Sequence, residues 1–406
     1  MMKPFNVEEE LALLTRGTEE IFPEEEFVDK LRQAREENRP LRVKLGVDPT
    51  GTDLHLGHII PLLKLQQFQE LGHQAVLIIG DYTATVGDPS GRNQARPQLT
   101  HEEVMDNART YQEQAFTILD PEQTEVVYNG SWFSKLSFQD TIQLMASTTV
   151  ARILEREDFT NRYKSGLPIG LHELIYPIMQ GYDSVMIRAD VELGAIDQKF
   201  NILAGRDLQR AAGQQAQVGV CNPVLLGTDG VEKMSKSLNN YIGLAEPADE
   251  MYGKLMSIPD QLMPSYFELL TQVEMDEIGE LETDLKSGRV HPRDAKRWLA
   301  RHVVTRFHNE AQAQEAEAAF DRVHVHREIP EDMPELKLQD DNIWVTRLVA
   351  TALGTSRGEA RRLISQGGVR LDGEVCPDPE KQWPTRSGVV LQVGKRRFFR
   401  IVKDEG

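Results

Sequence analysis

A short apolar run from Leu41 to Val47 is followed by a turn and by a stretch from Ile59 to Leu71 whose apolar residues recur at helical spacing. Gly72 ends that stretch, and Ala75 to Ile79 is a second apolar run. No other feature constrains the fold as tightly. Two apolar strands joined through one helix run parallel, and strands without polar alternation are covered on both faces. The expected fold class is therefore α/β, a Rossmann-like parallel sheet with helices on both faces. In such sheets ligands lie beyond the carboxyl ends of the strands, where the first turn falls.

That turn reads Asp48-Pro49-Thr50-Gly51-Thr52-Asp53-Leu54-His55-Leu56-Gly57-His58. His55 and His58 stand three apart, so they share a helix face. A helix N-terminus offers unpaired N–H groups and partial positive charge, which suits a phosphate. Asp53 is the expected N-cap. Gly57 leaves room for something flat against the helix. Taken alone, the pair could also be an ordinary surface feature or part of a metal site, although no third ligand stands nearby. A second element lies far downstream, after the apolar segment Cys221 to Leu226: the loop Lys233-Met234-Ser235-Lys236-Ser237. The two elements, in this order, resemble the paired signatures of class I aminoacyl-tRNA synthetases.

The chain has 406 residues, enough for two or three domains, and a formal net charge of -18. That charge is unevenly distributed. Residues 342–406 carry 12 Lys+Arg against 7 Asp+Glu, a net of +5, which leaves -23 on the remainder. A basic tail on an acidic body fits a protein that meets a polyanion with part of its surface, though ordinary variation between domains gives the same contrast. No apolar run approaches the length of a membrane span, and the acidic start of the chain has no signal-peptide character. Two distant cysteines, Cys221 and Cys376, argue for a reducing cytoplasm and against a cysteine zinc site, so no structural metal is expected.

Helices are expected at Asn6–Arg16 and Pro23–Glu37, before the first strand. After the second strand the loop Gly80 to Arg92 is rich in Gly, Asp and hydroxyl residues. Helical patterns at Thr100–Leu119, Phe138–Ser147, Val150–Arg156 and Leu171–Gln180, broken by a strand at Glu125–Tyr128, read as an insertion over about 100–184. The α/β pattern resumes with a strand at Val185–Ala189 and a helix at Gln198–Ala212, closing a catalytic domain over 1–246. Residues 247–330 are predominantly helical, with Trp298, Val303 and Phe307 on one stripe of a helix starting near Pro292. Residues 331–341, acidic and Pro-containing, read as a linker. The last segment, 342–406, is a small α+β unit. It holds a short helix at Ile343–Val349, a second helix N-capped by Ser356, a hairpin with an Asp-Gly turn at Gly368–Val375, and strands at Val389–Val393 and Arg397–Val402 bent around Gly394-Lys395. This unit resembles an S4 RNA-binding domain. Arg357, Arg361, Arg362 and Arg370 on its helix and hairpin are suited to RNA phosphates.

The chain as a whole resembles the bacterial tyrosyl-tRNA synthetase family, in the branch with K-L-G-x-D-P-T before the first signature. The sharpest support is Tyr176-Pro177-Ile178-Met179-Gln180-Gly181-Tyr182-Asp183, where Tyr176, Gln180 and Asp183 share one helix face. The resemblance implies the substrates L-tyrosine, ATP with Mg2+, and tRNA(Tyr). It implies a homodimer that meets through the insertion, and helices that read the anticodon. Tyr176, Gln180 and Asp88 would hold the α-ammonium, Asp183 the ring hydroxyl, and Gln198 the carboxyl side. Asp197 would bind ribose. Asp48 and Thr50 would meet the adenylate near its α-phosphate, and Gly57, Met234, Ser235 and Ser237 would complete the ATP site. His55, His58, Lys233 and Lys236 would stabilise charge on the phosphates. One residue departs from the pattern: Lys44 stands where many members carry a second tyrosine partner for the hydroxyl, so Asp183 is expected to carry more of the discrimination, aided by another loop residue. A tryptophanyl enzyme and a non-catalytic RNA-binding relative are the alternatives. The first has no S4-like unit, and the second would be free to lose both signatures.

Overall fold

The computed structural model describes residues 6–51, 53–90, 99–324, 333–394 and 397–403. Thr52, Gly91, Arg92, the start of the linker and Lys395 lie outside them. The chain divides into two compact units, residues 1–313 and 314–406.

The first unit is built on a six-stranded sheet: β1 (Glu20–Phe22), β2 (Arg42–Val47), β3 (Gln74–Ile79), β4 (Thr124–Tyr128), β5 (Val191–Ala195) and β6 (Val218–Asn222). Their spatial order is β1-β6-β5-β2-β3-β4. Five strands are parallel, and only β1 runs antiparallel, beside β6. The chain moves outward in one direction from β2 through β3 to β4, then returns to lay β5 and β6 on the other side. The order therefore reverses between β2 and β5, which opens a crevice at their carboxyl ends.

Three expectations shift. Strand β4 sits in the 100–184 block yet completes the main sheet by pairing with β3, so the block is not wholly an insertion. The Val185–Ala189 strand is not formed. Its first three residues finish the helix Tyr176–Ile187, which ends at Arg188 with φ 51, and the strand starts at Val191. A short apolar run fits either periodicity, and here burial of Met179 and Ile187 against β3 side chains extends the helix. Asp53 does not cap the helix Leu56–Glu70. His55 does, its Nδ1 accepting from Gly57 N.

Helices Ala248–Ser257, Met263–Leu270, Met275–Ser287 and Pro292–Phe307 follow the sheet. Trp298 packs on Phe267 with ring centroids 4.7 Å apart, and Val303 is fully buried. Arg306 donates to Gln66 on the helix Leu56–Glu70, and Arg16 to Thr271 O, so these helices seat on the sheet layer rather than standing apart.

The second unit has a five-stranded sheet whose β7 (Glu335–Leu338) pairs parallel with the strand Arg397–Lys403. The segment expected as a linker thus supplies a strand to this unit. Ile343 and Trp344 belong to β8 (Asn342–Trp344), and the helix begins only at Val345. Ser356 caps the Arg357–Ser365 helix, and Asp372 and Gly373 both take positive φ in the hairpin turn, as the sequence predicts.

Candidate active site

A cleft of about 1010 Å³ opens at the carboxyl ends of β2, β3, β5 and β6. Each strand delivers one part of its wall. Asp48 follows β2, Gly80 and Thr83 follow β3, Asp197 and Gln198 follow β5, and the lysine loop follows β6. The helix Tyr176–Ile187 closes the side with Tyr176, Gln180 and Asp183.

His55 and His58 stack, ring centroids 3.6 Å apart and 20° from parallel. His55 is buried, and burial, with the charges of Lys236 and Lys233 adding to it, pushes its pKa down to about 4. The ring is therefore neutral near pH 7. Its Nδ1 accepts from Gly57 N at 3.2 Å, which leaves the proton on Nε2. A Cβ at position 57 would press within 3.1 Å of the His55 ring and 3.6 Å of Met234, so glycine is what lets ring, helix and loop meet. The turn is also tied to the segment beyond the loop, since Leu56 N donates to Ile242 O and Leu244 N to Leu54 O.

Met234 is buried and its N–H donates to Leu225 O, anchoring the loop between its two lysines. Ser235 N donates to Asn240 Oδ1, and Asn240 Nδ2 donates to Asp229 and to Lys233 O. Ser235 and Ser237 share a hydroxyl hydrogen bond. Lys233 pairs with Asp197 at 2.7 Å and Lys236 with Asp53 at 3.6 Å, so both ammonium groups already rest on carboxylates at the rim of the cleft.

Asp48 accepts from Tyr176 OH and from Thr83 Oγ1, each at 2.8 Å. This joins a residue that the resemblance assigns to the adenylate with one that it assigns to the α-ammonium of the amino acid. Thr50 lies exposed on the cleft wall. Asp88 accepts from Ser90 N, Ser90 Oγ and Gln198 Nε2, with Arg156 Nη2 at 3.5 Å. Burial alone would raise its pKa, but Arg156 and the Ser90 bonds prevail and hold the carboxylate below its usual range. Asp183 is enclosed, accepting from Trp132 Nε1 at 3.0 Å and Asn129 Nδ2 at 3.3 Å. Burial raises its pKa to about 7, against the opposing influence of Lys44. Lys44 itself turns away from the cleft into a buried pair with Glu192.

All the expected small-molecule residues thus converge on one cleft. The four arginines, Arg357, Arg361, Arg362 and Arg370, are exposed on the second unit. Several site residues went unread in the sequence. Arg156 carried no signal beyond one basic letter in a helical stretch. Asn129 and Trp132 follow β4, where a turn at a strand's carboxyl end could have marked them. Asn240 stood only five residues past Ser235.

A family model described as tRNA synthetases class I (W and Y) matches residues 36–325, and an S4 domain model matches residues 346–382. The tyrosine–tRNA ligase of Moorella thermoacetica is 53% identical over 402 residues, covering 98% of this chain and 97% of its own. That of Carboxydothermus hydrogenoformans is 50% identical, covering 97% of each. Among solved structures, the tyrosyl-tRNA synthetase of Archaeoglobus fulgidus complexed with L-tyrosine superposes with a TM-score of 0.63 at 26% identity, over 77% of this chain and 99% of its own.

Proposed function

Because the chain belongs to the class I tyrosyl-tRNA synthetases, we propose that its cleft joins L-tyrosine to ATP and passes the tyrosyl group to tRNA(Tyr). The observation that carries this reading is the convergence of Tyr176, Gln180 and Asp183 with His55, His58 and the lysine loop around one cleft. The tyrosine carboxylate attacks the α-phosphate of ATP, and pyrophosphate leaves. The nucleophile is already ionised, so no general base is needed. The protein positions the reactants and stabilises charge growing on phosphoryl oxygens. A neutral His55 with its proton on Nε2 serves as a hydrogen-bond donor to a phosphate oxygen over the whole neutral range. Lys233 and Lys236 exchange Asp197 and Asp53 for the triphosphate, and ATP enters as its Mg2+ complex, with the phosphates as ligands of the metal. Asp197 is then freed for the ribose hydroxyls.

On the amino-acid side, Tyr176, Gln180 and Asp88 hold the α-ammonium, and Gln198 faces the carboxyl side. Asp183 accepts the phenolic hydrogen. Phenylalanine would leave that enclosed carboxyl short of the substrate hydroxyl, with only Trp132 and Asn129 donating to it, and tyrosyl-tRNA synthetases are themselves the familiar instance of this logic. A tryptophan side chain has no hydroxyl to meet Asp183, which disfavours the tryptophanyl reading.

The tRNA is read as meeting the exposed arginines of the S4 unit, with the helices after residue 247 at the anticodon. A homodimer is supported by the helix Phe138–Met145, which has no buried residue and exposes Phe138, Ile142 and Met145 on one face beside exposed Val150. A second copy of the chain would cover that face. Both cysteines are free and buried, which fits the cytoplasm. No helix among the described residues is long and apolar enough to cross a membrane. The test is amino-acid-dependent ATP–pyrophosphate exchange by the purified protein. Exchange with tyrosine and not with phenylalanine or tryptophan is expected, and its absence with tyrosine rejects the proposal.

A further inference from the structure

Beneath the floor of the cleft lies a charged pair that none of the chemistry above uses. Lys44 of β2 and Glu192 of β5 are register partners across the point where the strand order reverses. Both are buried, with side chains 0% and 1% exposed, and they pair at 2.8 Å. The lysine Nζ also donates to Gln180 O and to Ser184 Oγ, each at 2.7 Å. Glu192 in turn accepts from Gln180 Nε2 at 3.1 Å, from Ser184 Oγ at 3.1 Å and from Gln217 Nε2. The pair therefore holds both the side chain of Gln180 and the helix turn from Gln180 to Ser184. Asp183 sits within that turn.

Two buried charges are costly to desolvate, and a packed apolar pair would often serve stability as well or better. Stability is thus a weak account of this one. Its bonds are concentrated on a single turn, and that turn carries two of the three substrate-facing residues of its helix. We propose that Lys44 and Glu192 are positioning residues for selection of the amino acid, clamping the Gln180–Ser184 turn so that Gln180 and Asp183 present fixed groups to the ammonium and the ring hydroxyl. The inference rests on the tyrosine-activating reading of the cleft. It also gives Lys44 a role where the family often has a tyrosine reaching the substrate: this side chain works from beneath, through the helix. The charge reaches Asp183 as well, since Lys44 is the strongest influence opposing the effect of burial on that carboxyl.

Two variants test it. Lys44→Met combined with Glu192→Gln removes both charges while an amide remains at the β5 position for Gln180 and Ser184, so no buried ion is left unpaired. Glu192→Gln alone keeps the same amide but leaves the buried Lys44 ammonium without its counter-charge, which makes it the harsher change for the turn. Exchange kinetics with tyrosine, phenylalanine and ATP are measured beside thermal unfolding and ATP binding. The expected result for the double variant is a folded protein with the KM for ATP and kcat within about threefold of wild type. Its KM for tyrosine rises about tenfold or more, and the preference for tyrosine over phenylalanine falls by a similar factor. Glu192→Gln shifts both in the same direction by at least as much, with a lower melting temperature than the double variant. A folded double variant with wild-type KM for tyrosine and wild-type selectivity overturns the proposal. So does loss of the fold in both variants, which would make the pair a strut of the core. Wild-type protein that does not exchange with tyrosine would instead reject the reading of the cleft, and the inference with it.

Discussion

Gly80 offers a clean perturbation of the adenylate side of the cleft. Its φ is not in the left-handed region, so alanine suits its backbone. Its N–H donates to Val47 O and its carbonyl accepts from Ala84 N, and neither bond involves the side chain. The consequence of Gly80→Ala is therefore steric alone. A Cβ there would overlap Asp48 Oδ1 and Thr83 Oγ1 and stand 3.2 Å from Asp48 Cγ. The carboxylate must rotate away, losing the bonds from Thr83 and Tyr176 that fix it at the end of β2. Hydrogen bonds to a charged acceptor are worth about 1.5–3 kcal/mol each. Water from the open cleft would replace part of that, so about 2 kcal/mol, or roughly 30-fold in kcat/KM, is the expected loss. Thermal stability should change far less, because Asp48 is only half-buried. Exchange kinetics at varied tyrosine and ATP measure the first quantity and a melting curve the second. Thr83→Val supplies a coupled control. It removes a bond that the alanine has already broken, so the two losses should combine to less than their sum. Wild-type kinetics in Gly80→Ala, or full additivity with Thr83→Val, would refute the argument.

Asn240→Ala should unseat the lysine loop by removing the acceptor for Ser235 N and the donor to Lys233 O. A fall in exchange kcat of about tenfold or more, with KM for tyrosine near wild type, is expected from two lost hydrogen bonds at about 1 kcal/mol each. Asp183, whose pKa in the fold is raised to about 7, contributes stability that is present below its unfolded value of 3.8 and is lost as pH rises through 7. Comparing urea midpoints of wild type and Asp183→Asn at pH 4 and pH 8 should therefore show the variant gaining on wild type as pH rises, by up to about 4 kcal/mol. His55 has the opposite sign. Its lowered value of about 4 means stability present above pH 6.5 and lost as pH falls through 4, so exchange activity should show no inflection near pH 6.5 from this ring. Arg361→Ala and Arg362→Ala, at exposed positions, should raise KM for tRNA and flatten its salt dependence by about one unit of slope each, while leaving tyrosine-dependent exchange unchanged.

Much of the catalytic layer is written locally, which is why it could be read. The helix period between Ile59 and Leu71 and the unbroken apolar strands on either side fix a β-α-β unit, and a unit of that hand places His55 and His58 at the carboxyl ends. The paired signatures then bring the lysine loop to the same place. What the sequence hid depends on partners far along the chain. Strand β4 joins the sheet because β3 has a free edge, not because of anything in its own five residues. Val185 to Ile187 is helical because the helix face beginning at Tyr176 continues to find buried contacts. His55 rather than Asp53 is the cap because the helix begins only at Leu56, which places the His55 Nδ1 to accept from Gly57 N. Arg156 reaches Asp88 and Asn201 from the bend between the short helices Val150–Ile153 and Glu157–Lys164, with no sequence motif at all.

The lysines make the same point in terms of energy. Lys44, Lys64, Lys233 and Lys236 are one letter, yet the fold puts them in three environments. Lys64 is buried against the carbonyls of Leu14 and Arg16, and its pKa is pushed down to about 7 by burial and by Arg16. It serves the end of the first helix, Val7–Thr15. Lys44 keeps its place only with Glu192, and breaking a buried pair by removing one member typically costs about 3–5 kcal/mol. Such a pair cannot open during turnover, which suits a clamp. Lys233 and Lys236 lie 55% and 36% exposed, and exposed pairs contribute about 0–1 kcal/mol. On the proposed reading of the cleft, exchanging Asp197 and Asp53 for a triphosphate therefore costs little, and the reverse exchange would let pyrophosphate go. Desolvation decides which lysine is fixed in its pair and which ones are free to exchange carboxylates for another anion.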